Sequence, residues 1–133
     1  MHDHRYPTIE GAREVFGQLG IDPNSVDLSC QDWEYTYPQM EQLFDFLELY
    51  RRGVLSDAAK RVLGCFIFQT LENHLCSSGD HQLVHDTLAM LKLDYPIHEF
   101  EFRYWSLIDL ESDERGTQED QFRITPYVME YIE

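Results

Sequence analysis

The chain has 133 residues, 43% of them apolar and 14% aromatic, which is the usual size of one domain and enough to build one sizeable core. Its 25 acidic against 10 basic residues leave a formal charge of −15, a field that repels nucleic-acid backbones and anionic membranes. The longest apolar stretch, "VLGCFIF" at 62–68, falls far short of the roughly 20 residues a membrane span needs.

Thr8 can accept hydrogen bonds from the open amides of a first helical turn, and Ile9, Ala12, Val15, Phe16 and Leu19 recur at helical spacing until Gly20, so a helix is expected over 9–19. "IDPNS" at 21–25 gathers turn-forming residues and opens a loop that runs to about 31. The stretch "DWEYTYP" at 32–38 then alternates acids and aromatics. Thr36 with Gln39 fits a capping box, and Pro38 is tolerated in a first turn. The second helix that follows shows Met40, Leu43, Phe44, Leu47 and Val54 as its apolar stripe, with Gly53 as its stop. Its opposite side carries Glu41, Asp45 and Glu48, an acidic ridge relieved by Arg51 and Arg52. Glu48 and Arg52 are spaced to pair, for a few tenths of a kcal/mol.

Ser56 is placed to cap a third helix. Val62, Leu63, Phe66, Ile67, Phe68, Leu71 and Leu75 make it apolar nearly all round, so it belongs in the middle of the fold. "SSGD" at 77–80 breaks the chain, and Leu83, Val84, Leu88, Leu91 and Leu93 describe a fourth, amphipathic helix. Beyond Pro96, His98, Phe100, Phe102 and Tyr104 alternate with Glu99, Glu101 and Arg103, the period of a half-buried strand. A helix through Ile97, Phe100, Tyr104 and Leu107 fits the same residues. "DLESDERGTQED" at 109–120 reads as an exposed acidic loop, "QFRIT" as a second strand, and Thr125 and Pro126 open a last short helix. The fold class expected is mainly α, in the α+β sense: one globular domain, a bundle of four to five helices with a small C-terminal β-hairpin.

Helices followed by strand, loop and strand, with "QFRITPYVMEYI" running into a terminal helix, resemble the C-terminal half of a winged-helix domain over residues 56–133. The resemblance would make His81 to Lys92 the recognition helix and 109–120 the wing. Lys92 is the one base in the first and Arg115 the one base in the second, so phosphate contacts are lacking and a protein-binding variant is implied rather than a DNA reader.

Catalytic chemistry has little to stand on. His81 and His85 lie four apart on one helix face with His74, Cys76, Asp80 and Asp86 nearby, yet no four-ligand zinc spacing can be assembled, and no Glu follows the first His as in zinc hydrolases. Cys65 falls within an apolar helical run, while Cys30 and Cys76 stand in acidic surroundings that disfavour thiolate. No phosphate-cradling glycine loop and no nucleophile elbow occurs. No catalytic residue, metal or cofactor is therefore expected. An odd cysteine count with no leading apolar run points to the reducing cytoplasm.

What exceeds expectation is charge beside aromatic rings. Asp32, Trp33, Glu34 and Tyr35 lead into Glu41, Asp45 and Glu48, and Asp109, Glu111, Asp113 and Glu114 form a second acidic cluster. Aromatic side chains anchor protein interfaces and carboxylates steer cationic partners, so these residues are the candidate partner-binding surface. In size, charge and helix content the chain resembles the immunity proteins that bacteria make against their own nuclease toxins. The resemblance implies a cytoplasmic inhibitor of a basic protein, with a regulatory interaction module or a His-based metal protein as the alternatives; it leaves the oligomeric state open.

Overall fold

The computed structural model describes residues 8–22, 42–77, 81–106 and 123–131, which form six helices. Helix α1, Ile9–Leu19, starts where Thr8 Oγ1 accepts the Gly11 amide at 3.1 Å. It ends at Gly20, whose φ of 75° lets Ile21 N–H reach back to the Phe16 carbonyl at 2.8 Å. Helix α2, Leu43–Arg52, closes in the same way at Gly53, with φ of 67°. The expected capping box at Thr36 and Gln39 and the apolar Met40 lie outside the described residues.

Helix α3, Asp57–Ser77, opens on Ser56, whose hydroxyl accepts the Ala59 amide at 3.2 Å. Residues 62–68 are buried without interruption, and α1, α2, α4 and α5 all pack on this helix. Two rings show how it serves opposite sides. Phe66 lies 6.1 Å from the Phe16 ring of α1 and 5.5 Å from the Phe46 ring of α2. Phe68, about 200° further round at 3.6 residues per turn, meets Phe102 edge-on at 5.2 Å and stacks on Trp105 at 6.5 Å, both on α5.

Helix α4, His81–Lys92, buries Val84, Thr87, Leu88 and Leu91. Leu93, which the sequence pattern assigned to the same stripe, sits in the turn beyond it, 85% exposed. Helix α5, Tyr95–Ser106, replaces the first expected strand. Its ladder begins at the Asp94 carbonyl, which accepts from Ile97 and His98, and Pro96 fits the first turn because no amide proton is needed there. The residues that go inside are His98, Glu101, Phe102, Trp105 and Ser106, a three-and-four spacing. Phe100 and Tyr104, also four apart, stack on each other at 6.2 Å along another side of the helix. The alternation of aromatics in "HEFEFRY" was thus two helical rows read as one strand face.

The second expected strand fares no better: Arg123 and Ile124 form a turn into α6, Thr125–Met129. Helix α6 packs on α5 and α4. The Glu72 carboxylate from α3 accepts the amides of Arg123 at 3.1 Å and Ile124 at 2.8 Å, and the Thr125 hydroxyl donates to the Trp105 carbonyl at 2.7 Å. The described residues contain no strand, so the expected β-hairpin is absent from them and the winged-helix arrangement is not supported. The bundle expectation stands in its helical part.

Helix α1 crosses α3 closely at Gly11, where a Cβ would stand 2.6 Å from the Ala58 carbonyl oxygen. Gly17, on the same helix, faces open space. Gly11→Ala should lower stability by about 1–3 kcal/mol in urea denaturation, because backbone rather than a flexible side chain must yield. Gly17→Ala should raise it by up to about 1 kcal/mol through helix propensity.

Candidate functional site

The acidic surface is reached through α2. Asp45 and Glu48 are exposed, as the sequence implied, and Glu48 accepts from Arg52 at 3.0 Å. The stripe facing the core is Leu43, Phe46, Leu47, Leu49 and Tyr50, which turns Phe44 outward to 67% exposure and leaves Val54 exposed after the helix. Phe44 and Glu48 share one row of α2, with Asp45 beside them. Next to this face a groove of about 300 Å³ runs between the end of α1 and the length of α2, lined by Leu19, Ile21 and Phe46 together with Gln18, Gln42, Asp45, Glu48 and Arg52. Of the other candidate partner residues, Asp32, Trp33, Glu34, Tyr35, Glu41, Asp109, Glu111, Asp113 and Glu114 lie outside the described residues.

Several acids that look like solvated surface in the sequence are structural. Glu14 of α1 accepts both the backbone amide of Ser56 at 2.8 Å and its hydroxyl at 2.7 Å, bracing the start of α3. Glu72 does the same for α6. Glu101, only 2% exposed, accepts the Trp105 indole N–H at 3.0 Å. Glu99 and Glu101, which a strand would place on one side, are divided by the helix into an exposed and a buried carboxylate.

The densest polar chemistry lies inside, where α2, α3 and the α4–α5 corner meet. The Tyr50 hydroxyl donates to Asp94 Oδ2 at 2.6 Å. Its proton being thus committed, the 2.7 Å contact with His98 is an Nε2–H donating to the Tyr50 oxygen, which fixes the imidazole tautomer. His98 Nδ1 is then a bare acceptor, and it has no hydrogen-bond partner. The ring lies against Gly64 of α3, where a Cβ would stand 2.5 Å from His98 Nδ1 and Cε1. Lys60 Nζ approaches Asp94 Oδ2 at 3.9 Å, and Arg61 Nε donates to the Ile97 carbonyl at 3.2 Å.

Burial pushes the His98 imidazole down to about 4, the Asp94 carboxylate opposing this and the Arg61 and Lys60 cations adding to it. Burial also pushes the Tyr50 phenol up, helped by its bond to Asp94 and by the negative charges of Asp94 and Asp57. Both groups are held neutral. His98 is fully buried, and the network ties α2 to the α4–α5 corner.

His81 and His85, the metal candidates, are engaged by the C-terminal segment. His81 Nδ1 is in hydrogen-bond contact with the Tyr127 hydroxyl, His85 Nδ1 lies 3.3 Å from Glu130, and the Tyr131 hydroxyl donates to the His85 carbonyl at 3.1 Å. The Tyr127 ring packs on both imidazoles. Lys92 completes the seam by donating to the Tyr131 carbonyl at 2.6 Å while lying over the Tyr95 ring. Among the described residues no three His, Cys, Asp or Glu side chains gather as a metal site. Cys65 is buried in α3.

No helix among the described residues is long and apolar enough to cross a membrane. Comparison with protein-family models, with curated proteins and with solved structures found no match.

Two measurements check the buried network. Tyr50→Phe should cost about 1–3 kcal/mol in chemical denaturation, since it leaves His98 Nε2–H without its acceptor. Stability should also fall as pH drops from 6.5 towards 4: the unfolded chain takes up a proton on His98 in that range while the folded chain resists it. The gap between the ordinary 6.5 and about 4 corresponds to about 3 kcal/mol, present above pH 6.5 and lost by pH 4.

Proposed function

We propose that the chain is an acidic protein-binding module that neutralises a basic protein by direct docking, as immunity proteins do with nuclease toxins, and that it works in the cytoplasm. The observation that carries this reading is the outward Phe44 on α2, 67% exposed and flanked by Asp45 and Glu48. A large exposed ring supplies contact area and the carboxylates around it supply attraction for a cation, the combination found where one protein anchors on another.

Net charge supports the choice of partner. At −15 the chain repels other acidic proteins and speeds encounter with basic ones, and a nuclease must present a cationic cleft in order to hold phosphate. The groove beside α2 places apolar Leu19, Ile21 and Phe46 next to Asp45 and to Glu48, the latter already paired with Arg52, so Asp45 is the carboxylate that meets the charged head of a lysine or arginine there.

The test is affinity capture with the whole chain at low salt, identification of the captured protein, and titration of that protein against variants. A basic partner is expected, with affinity falling as salt rises from about 0.05 to 0.5 M. Phe44→Ala should weaken binding by ten- to a hundredfold with an unchanged melting temperature, about 1.4–2.7 kcal/mol of interface energy. Asp45→Lys with Glu48→Lys should slow association. A partner that is neutral and indifferent to salt, or full binding by the Phe44→Ala chain, would overturn the reading.

A further inference from the structure

Helix α2 presents two faces with different work to do. One carries Phe44, Asp45 and Glu48 outward; the other sends Tyr50 inward to the imidazole of His98, ring centroids 5.7 Å apart. The geometry points to an acid-operated catch between α2 and α5, in which protonation of His98 lets go of Tyr50 and frees the helix that carries the exposed face.

The argument begins with His98 Nδ1. It is buried, it has no hydrogen-bond partner, and the backbone of Gly64 closes over it. A proton arriving there becomes an N–H donor with no acceptor, on a ring that has become a cation with no water around it. The charged groups nearby do not relieve it evenly. From α3, Lys60 and Arg61 face the corner as cations and oppose a second positive charge, and Asp57 lies further along the same helix. From the α4–α5 corner, Asp94 attracts the charge but is already engaged by the Tyr50 hydroxyl and approached by Lys60. Relief comes by opening a path for water.

The element that gives way is the C-terminal end of α2, which meets this corner through one side chain while Phe46 against Phe66 holds the rest of the helix on α3. Helix α5 is fixed to α3 by Phe68 against Phe102 and Trp105 and by the Arg61 bond to Ile97, and to α6 by the Thr125 bond to Trp105. Helix α2 packs on α3 and α1, and reaches α5 through the Tyr50 side chain. Withdrawal of Tyr50 solvates His98 without parting the Phe68 cluster. Burial, which pushes the His98 imidazole down to about 4, keeps the catch closed at neutral pH.

Amide hydrogen exchange of the whole chain between pH 6.5 and 4.5, corrected for the intrinsic rate, tests this without any partner. Protection of residues 48–52 in α2 should fall on the order of tenfold per pH unit, the dependence of a single proton, and should stay below that of residues 62–71 of α3 at every pH, because α2 opens without the whole chain. His98→Gln should abolish the dependence and Asp94→Asn should retain it. Equal protection of α2 and α3 at every pH would mean that α2 opens only with the whole chain, and a dependence that survives His98→Gln or disappears in Asp94→Asn would place the proton elsewhere; each overturns the catch.

Should His98→Gln fail to fold, nitrogen shifts of the imidazole in the unaltered chain decide the matter. The Nε2–H tautomer is expected to persist through this range, the cation appearing only towards pH 4 as the opened α2 becomes populated. Protonation of His98 with α2 still protected would overturn the proposal. Control of partner binding by the catch rests on the docking role of Phe44, but these readouts do not, so the two can fail separately.

Discussion

A helical segment buried on every side has no face to give to water, and residues 62–68 of α3 impose that requirement on the whole molecule. Phe66 and Phe68, two residues apart, point to opposite sides and each needs a wall. The first draws α1 and α2 together, Phe16 and Phe46 closing over Phe66. The second draws in α5, and α5 in turn provides the carbonyl on which α6 is hung. Truncating either ring would leave a cavity costing on the order of 3–5 kcal/mol, a large share of what holds a domain of this size together.

The close approach of so many helices to one rod explains the unusual use of acids. Helix starts leave amides to satisfy, and the chain meets that need from a distance: Glu14 at the start of α3 and Glu72 at the start of α6 are each supplied by another helix. A carboxylate suits the place because the amino end of a helix is electropositive. Excess negative charge therefore has two explanations in one sequence, with structural carboxylates in the seams and exposed ones such as Asp45 and Glu48 left for attraction.

Which parts were legible in the sequence follows from this division between near and far. The Thr8 cap, the Gly20 and Gly53 stops, the Ser56 cap and the central place of α3 depend on residues a few positions apart, and local periodicity reveals them. In α5, "HEFEFRY" satisfies the strand and the helix period at once, and only the demand of Phe68 for Phe102 and Trp105 selects between them. The acidic ridge was legible at Asp45 and Glu48, but α2 has more apolar residues than one face can hold, and which of them turns outward is settled by packing on α3. Tyr50, Asp94 and His98 escaped notice because their partners lie 44 and 48 positions away, and no local pattern marks a buried polar triad.

The fit of His98 against Gly64 makes these two positions a single unit of inheritance. A side chain cannot appear at position 64 while the imidazole occupies the space it would need, and an imidazole lost from position 98 vacates room for one. In divergent copies of this fold the two should change together or not at all, so a histidine facing a glycine marks chains that keep the buried triad, and a larger residue facing a smaller one marks chains that have replaced it by ordinary packing.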